Sequence, residues 1–226
     1  MTFKHNPIDL GYKDLECETQ PSGRKYMSPD GKAYPSVTTV LKHLGEDAIR
    51  AWRERVGEEE ANKVSTRASR RGTSVHTMLE KYVNNDEDYK DGVMPDILAT
   101  ASQVFKTLEE NVDEVWGQEL ALYSDHLNMA GRVDLVGVWN GTPSIIDYKT
   151  SRRLKKKEQI TSYFLQCTAY AIMIEERTGI PVPQLVIVIA GDEGEQIFVE
   201  QRDNWTAQLR EAINEYQRRK LFGHAK

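Results

Sequence analysis

Residues 129–153 read MAGRVDLVGVWNGTPSIIDYKTSRR. This stretch decides the fold, because it combines two strand patterns with a tight turn. Residues 129–139 are rich in β-branched and apolar side chains, Asn140-Gly141 is a strong hairpin signal, and residues 144–149 resume the strand pattern. We therefore predict an antiparallel hairpin whose two strands lie side by side in a sheet.

The predicted hairpin brings two acidic residues together. If Asn140-Gly141 is the whole loop, the register places Asp134 opposite Asp147, with their Cβ atoms about 5 Å apart. Two carboxylates so placed repel each other and destabilise the hairpin, unless one is protonated or a cation lies between them. A divalent metal is the simplest such cation, and we predict one here.

Lys149 completes this polar set. Strand alternation puts it on the same face as Asp147, with Tyr148 on the other face. Oxygen ligands suit Mg²⁺ or Mn²⁺, which can ligate a phosphate oxygen and lower the pKa of a bound water. Lys149 could orient that water or stabilise developing negative charge. Taken alone, the three residues also fit an ordinary cross-strand ion pair on a solvated face.

Periodicity and turn signals predict the other elements. We predict an irregular arm at residues 1–24, and two short extended pieces around a Pro-Asp-Gly turn at residues 26–34. Residues 46–84 predict three helices separated at Gly57 and Gly72. Further helices are predicted at 36–44, 94–112, 158–178 and 204–221, and further strands at 114–123, 184–190 and 194–200.

Length and composition bound the class of protein. The 226 residues have a net charge of -5 and a mean hydropathy of -0.61, and no apolar run approaches the roughly 20 residues that span a bilayer. We expect one domain over 1–226, with an arm and helical elaboration at 1–112 and a catalytic sheet with flanking helices at 113–226. The absence of targeting signals predicts a cytoplasmic protein.

Two kinds of cofactor are excluded by the sequence. Cys17 and Cys167 are the only cysteines, which is too few for a four-cysteine metal site, so we expect no iron–sulfur cluster. No GxxxxGK[ST] segment occurs, so we expect no ATP-driven motor. Mg²⁺ or Mn²⁺ is the cofactor that the acidic residues predict.

Five motifs occur in order between residues 26 and 200: YPSVTT, GTSVHTMLE, GRVD, IDYKTS and QCTAY. Together they resemble the PD-(D/E)XK nuclease superfamily, in the RecB-like branch that includes the mitochondrial genome maintenance exonuclease and related phage exonucleases. Val133-Asp134 stands where the family's name has Pro-Asp. The resemblance implies an α/β fold with an α-β-β-β-α-β core, in which helices flank a mixed central sheet, preceded here by a helical N-terminal elaboration.

The resemblance also implies functional residues. Catalytic roles fall on Asp134, Asp147 and Lys149, and the metal ligands would be His76, Asp134, Asp147 and the backbone carbonyl of Tyr148, with Glu119 and Glu80 as further candidates. His76 and Glu80 are four apart and share a helix face, although a lone helical histidine is often structural. Glu119 also fits a plain surface residue.

Contacts to DNA are predicted from two sources. The family's QxxxY motif falls on Gln166 and Tyr170, and the hydroxyls of Ser36 and Thr38 could reach a phosphate at a helix start, where simple capping is the alternative. Basic clusters occur at 67–71, 152–157 and 218–220, and the first two predict a positively charged passage with Trp52, Tyr82 or Tyr148 available for stacking. The basic residues assigned to DNA are Arg70, Arg71, Arg152, Arg153, Lys155 and Lys156.

These observations favour a metal-dependent DNA exonuclease that enters single-stranded DNA from a free end. A structure-specific or restriction endonuclease on the same fold is one alternative, and a noncatalytic DNA-binding or recombination protein is another. Two facing carboxylates argue against the binding-only alternative, because they repel phosphates. Partners besides DNA would be replication or recombination proteins, and the resemblance to phage enzymes implies a bacterial host cytoplasm.

Overall fold

The chain begins with a small antiparallel sheet. A computed structural model describes residues 2–223 and places strands β1 (Glu16–Gln20), β2 (Gly23–Met27) and β3 (Ala33–Pro35) in the order β1-β2-β3. The prediction of an irregular arm is therefore wrong for residues 16–24. These strands are mostly exposed, so they lack the alternation of apolar and polar residues that announces a half-buried strand.

Five helices follow, and one of them is longer than predicted. They are α1 (Val37–Leu41), α2 (Glu46–Val56), α3 (Glu58–Val83), α4 (Pro95–Ala101) and α5 (Phe105–Asn111). The break at Gly57 is confirmed, whereas α3 continues through Gly72. A mid-helix glycine costs about 1 kcal/mol, and the buried residues of the second half of α3 outweigh that cost. The helix predicted at 94–112 is divided by a 3₁₀ turn between α4 and α5.

The central sheet has five strands. They are β4 (Val112–Ser124), β5 (Met129–Trp139), β6 (Thr142–Ser151), β7 (Gln184–Gly191) and β8 (Gln196–Gln201), in that order across the sheet. Only β6 and β7 are parallel, and α6 (Thr161–Thr178) connects them. Helix α7 (Asp203–Phe222) closes the described chain. The predicted mixed sheet with flanking helices is confirmed.

The hairpin between β5 and β6 has the predicted register. Its pairs run from Trp139↔Thr142 to Leu135↔Ile146, and Asn140 and Gly141 both have positive φ, at 48° and 75°. Such a two-residue turn matches the twist of the strands that it joins. The ladder ends at Leu135↔Ile146, so the predicted pair of Asp134 with Asp147, the next one outward from the turn, lies just beyond it.

Both faces of the central sheet are buried. Helices α1, α6 and α7 cover one face, with Ile145, Ile187 and Phe164 in that core, and α3, α4 and α5 cover the other. Strand β7 is buried along its whole length, as its unbroken apolar run predicts. Within residues 2–223, no helix is both long and apolar enough to cross a membrane.

Candidate functional site

Three side chains from distant parts of the sequence converge beside strands β4 and β5. His76 comes from α3, Glu119 from β4 and Asp134 from β5, and one potential ligand atom of each lies within 4.8 Å of the other two. They line a cavity of about 450 Å³, which Glu80 also lines. An imidazole and carboxylates so placed can hold a divalent cation.

The backbone of β4 is irregular at this point. The pairs Gln118↔Leu135 and Leu120↔Val133 place Glu119 across from Asp134, and Glu119 has a left-handed φ of 49°. A non-glycine residue rarely adopts this conformation, and in folded proteins it marks sites where the surroundings impose it. Glu119, the residue with this unusual backbone conformation, is also the one that adds a second carboxylate to the cavity.

Asp134 is held from two sides. Its Oδ2 accepts a hydrogen bond from the backbone N–H of Tyr148 at 2.7 Å, and its Oδ1 lies 3.4 Å from Nδ1 of His76. Burial acts to raise the pKa of Asp134, but the hydrogen bond and charge of His76 outweigh it, so this pKa is lowered. For His76, burial acts to lower the pKa, and Asp134 outweighs it, so the pKa of His76 is raised.

The buried Asp147 and the half-buried Lys149 form an ion pair next to this cluster. The carboxylate of Asp147 is 1% exposed, and its Oδ2 accepts a hydrogen bond from Lys149 Nζ. Burial raises the pKa of Asp147 to about 6, with Lys149 opposing that shift and Asp134 adding to it. Within the described chain, Oδ1 of Asp147 has no hydrogen-bond partner. An unpartnered buried carboxylate oxygen is costly, and a cation beside it would remove that cost.

Lys149 is also supported from α6. Its Nζ lies 5.0 Å from the ring centroid of Tyr163, within the range of a cation–π contact. Tyr148 lies between Asp147 and Lys149 and packs in the core on the opposite face of the sheet. The predicted alternation along β6 is therefore confirmed.

Glu119 is the carboxyl with the most strongly altered acidity in the cavity. Burial raises its pKa to about 7, and the negative charges of Asp134 and Glu80 add to that shift. The raised pKa values of Glu119 in the cavity and of Asp147 beside it, together with the raised pKa of His76, make the charge of this site depend on pH between mildly acidic and neutral conditions.

Comparison with known proteins identifies the family. A family model described as PD-(D/E)XK nuclease superfamily matches residues 39–224. The chain belongs to this nuclease superfamily. A solved structure described as "Crystal structure of SSO0001" is 15% identical and has a TM-score of 0.32, over 63% of this chain and 73% of that one. No curated protein matches the chain.

The nucleases of this superfamily use divalent metals, and the residues present fit one. The carboxylates of Glu119 and Asp134 with the imidazole of His76 suit a hard or borderline divalent ion. Asp147 is not in that group of three, but its Oδ1 has no hydrogen-bond partner within residues 2–223 and is a further candidate ligand. Glu80 lines the same cavity but is not one of the three residues whose ligand atoms lie within 4.8 Å.

Several residues that were predicted to contact DNA have side chains that are buried or packed against other side chains. Ser36 is 3% exposed, and its Oγ accepts the N–H of Thr39 as the N-cap of α1, so its role is capping. Thr38 is exposed. Tyr148 is buried, and Tyr82 stacks on Phe105 at a centroid distance of 3.9 Å, so neither ring is available to a base.

The QxxxY motif has a packing role at its tyrosine. Tyr170 is 2% exposed. Its ring packs against Gly131 so closely that a Cβ at Gly131 would lie 2.7 Å from Cε1 of Tyr170. Direct contact of Tyr170 with DNA is therefore corrected to packing of α6 on β5. Gln166, which is half-buried, donates to the Tyr170 hydroxyl at 3.4 Å.

The basic residues that were predicted to contact DNA differ in their exposure and in their ion pairs. Arg71 is tied to Asp192 by an ion pair and to Thr100 by a hydrogen bond of 2.9 Å, whereas the neighbouring Arg70 is exposed. Lys155 is half-buried. Arg152, Arg153 and Lys156 are exposed, and within residues 2–223 they form no ion pair.

Sequence reasoning missed two arginines that line the cavity. Arg132 donates hydrogen bonds to the carbonyl of Glu119 and to Asp14, and its position two residues before Asp134 on one strand could have revealed it. Arg24 comes from the unpredicted β1–β2 hairpin, so no local signal pointed to it.

Proposed function

We propose that this nuclease is an exonuclease that digests single-stranded DNA from a free end, with Mg²⁺ or Mn²⁺ as its cofactor. The observation that carries the proposal is the convergence of His76, Glu119 and Asp134 next to the Asp147–Lys149 ion pair, where Asp147 has an oxygen with no partner within residues 2–223. An ordinary ion pair on a solvated face would not bury the carboxylate of Asp147 so deeply. DNA is the substrate that the superfamily indicates.

The metal would be held by His76, Asp134, Asp147 and the carbonyl of Tyr148, with Glu119 as a further ligand. The N–H of Tyr148 points toward β5, and the N–H and C=O of one strand residue face the same edge, which supports the carbonyl as a ligand. A divalent cation bound there supplies charge neutralisation at the phosphate and lowers the pKa of a bound water.

Lys149 would act on the reacting phosphate. Its ammonium is fixed by Asp147 and by the face of Tyr163, so little reorganisation is needed to stabilise the negative charge that develops during hydrolysis. The exposed Arg152, Arg153 and Lys156 follow Lys149 directly and would contact phosphates of the same strand. Arg70, Thr38 and Gln166 are further candidates for DNA contact.

The deciding experiment compares linear and circular single-stranded DNA of equal length, with Mg²⁺, Mn²⁺ or EDTA. We expect rapid loss of the linear strand with either metal, no loss of the circle and no activity in EDTA. Asp147→Asn and Lys149→Ala should each abolish this activity, and Lys106→Ala on α5 is the matched control. Equal degradation of both DNAs would instead indicate an endonuclease, and binding without degradation would indicate a noncatalytic DNA-binding protein.

A further inference from the structure

A second cavity adjoins the candidate site and shares Arg24 with it. This cavity of about 510 Å³ lies between the β1–β2 turn, the segment that follows α1 and the last turns of α7. We call it the hairpin cleft, and its cationic and aromatic lining is Arg24, Lys25, Lys42, His43, Tyr216, Arg219 and Lys220. The basic cluster at 218–220, which has no part in the proposed catalytic site, contributes to it.

The hairpin cleft carries uncompensated positive charge. Within residues 2–223, Arg24, Lys25, Lys42 and Lys220 form no ion pair with a carboxylate. Its lining contains one carboxylate, Glu46, which pairs with Arg219 at 3.2 Å. In a chain whose net charge is -5, so many unpaired cations in one concavity create a local field that attracts anions.

The wall of the hairpin cleft is fixed by close packing. The carbonyl of Arg24 accepts the N–H of Ser36 at 2.8 Å, and the N–H of Arg24 donates to Thr39 Oγ1 at 3.1 Å. Gly23 has a φ of 124°, and a Cβ there would lie 2.4 Å from Cγ2 of Thr39. The turn therefore rests directly on the start of α1, and the cations are presented from a preformed surface.

We propose that the hairpin cleft binds the phosphate backbone of a single strand of DNA beyond the nucleotides held at the metal site, with Arg24 at the junction. The proposal rests on the proposed nuclease function. Lysine and arginine side chains would contact successive phosphates, and the half-buried ring of Tyr216 offers a face for stacking a base. The cleft would then hold the substrate strand during successive cleavages.

The test uses two lysines that lie away from the metal ligands. Lys42→Ala/Lys220→Ala is compared with a matched pair, Lys90→Ala/Lys106→Ala, whose lysines are exposed and line neither cavity. Binding of a labelled oligothymidylate of ~30 nucleotides is measured by fluorescence anisotropy in EDTA over a range of salt concentrations. Lys42→Arg/Lys220→Arg keeps the charges and serves as the rescue variant.

We expect the hairpin-cleft pair to weaken binding about tenfold and to lower the salt slope by about 1.4, because each phosphate contact on a single strand contributes about 0.7. The arginine pair should restore both values, and the control pair should change neither.

The outcomes separate this proposal from the proposed function. An unchanged salt slope in a protein that degrades DNA overturns the hairpin-cleft proposal alone, as does an equal loss in the control pair. A reduced slope in a protein that degrades no DNA supports the hairpin cleft as a DNA-binding surface and overturns the nuclease proposal instead.

Discussion

Asp134 and Asp147 carry the same chemical group in opposite electrostatic surroundings. Asp134 accepts the Tyr148 N–H and faces His76, so its pKa is lowered in spite of burial, whereas burial raises the pKa of Asp147 to about 6. A lowered pKa means that the charged form of Asp134 stabilises the fold above the pKa of the unfolded chain. A raised pKa means that the charged form of Asp147 opposes folding at neutral pH.

We predict that Asp134→Asn lowers the free energy of unfolding at neutral pH by about 1.5–3 kcal/mol, the range for hydrogen bonds to charged groups. Asp147→Asn should cost less, because removing a buried charge offsets the loss of its bond to Lys149. Urea unfolding in EDTA measures both. As the pH falls through the folded-state pKa of Asp134, its contribution should disappear. A larger loss for Asp147→Asn would contradict this assignment.

Metal binding should depend on pH. The proposed ligands would bind metal in their deprotonated forms, and the pKa of Glu119 is raised to about 7, that of Asp147 to about 6, and that of His76 above its ordinary value. We expect Mn²⁺ affinity to fall steeply below about pH 7, with protons released on binding. Titration calorimetry in buffers of different ionisation enthalpy counts those protons.

Glu119→Gln provides the control for that titration. It removes one titrating group, so the number of protons released near neutral pH should fall by up to about one. Affinity that is independent of pH across the same range would show that these groups do not ligate the metal.

At the scale of single elements, α3 is the connection between the helical half and the sheet. It runs unbroken from Glu58 to Val83, so His76 lies in the C-terminal half of a long helix and not in the first turn of a short one. Gly72 lies one turn earlier, and a Cβ there would be 3.8 Å from Thr150 Oγ1, an ordinary contact distance. The glycine is therefore not required by the packing of α3 against β6.

We predict that Gly72→Ala stabilises the protein by up to about 1 kcal/mol, the difference in helix propensity. Gly137→Ala on β5 is the contrasting control, because its Cβ would lie 2.2 Å from the backbone carbonyl oxygen of Glu114. That substitution should lower the melting temperature markedly. The melting temperatures of both variants test this prediction. If Gly72→Ala destabilised the protein, the backbone at position 72 would require a glycine, as the predicted helix break implied.

At the scale of the whole molecule, the basic segment after β6 is a candidate path for the DNA backbone. Its members are not equivalent. Arg152, Arg153 and Lys156 are exposed, while Lys157 pairs with Glu200 and lies 5.7 Å from the ring centroid of Trp205. The free cations can release counterions from a bound phosphate chain, whereas Lys157 is already neutralised.

We predict that replacing Arg152, Arg153 and Lys156 by alanine lowers the salt slope of single-strand binding by about 2, at about 0.7 for each contact. Metal affinity should be unchanged, since none of the three is among the proposed ligands. Lys157→Ala is the matched control and should leave the slope as it is. Similar slopes for all variants would remove this segment from the DNA path.

The sequence by itself determined the local elements around the β5–β6 hairpin. The turn at Asn140-Gly141, the register that leads to Leu135↔Ile146, the buried strand β7 and the end of α6 at Gly179 all follow from short-range patterns. These features are fixed by backbone preferences and by side-chain alternation, which act between residues close in the chain.

Only the tertiary structure decided which side chains meet. Packing of α3 against the sheet brings His76 to Asp134, the distortion of β4 brings Glu119, and the exposed β1–β2 hairpin brings Arg24. Burial likewise removed Tyr148, Tyr170 and Ser36 from the predicted DNA surface. Contacts between segments far apart in sequence depend on how whole faces pack, and that information is not contained in any local periodicity.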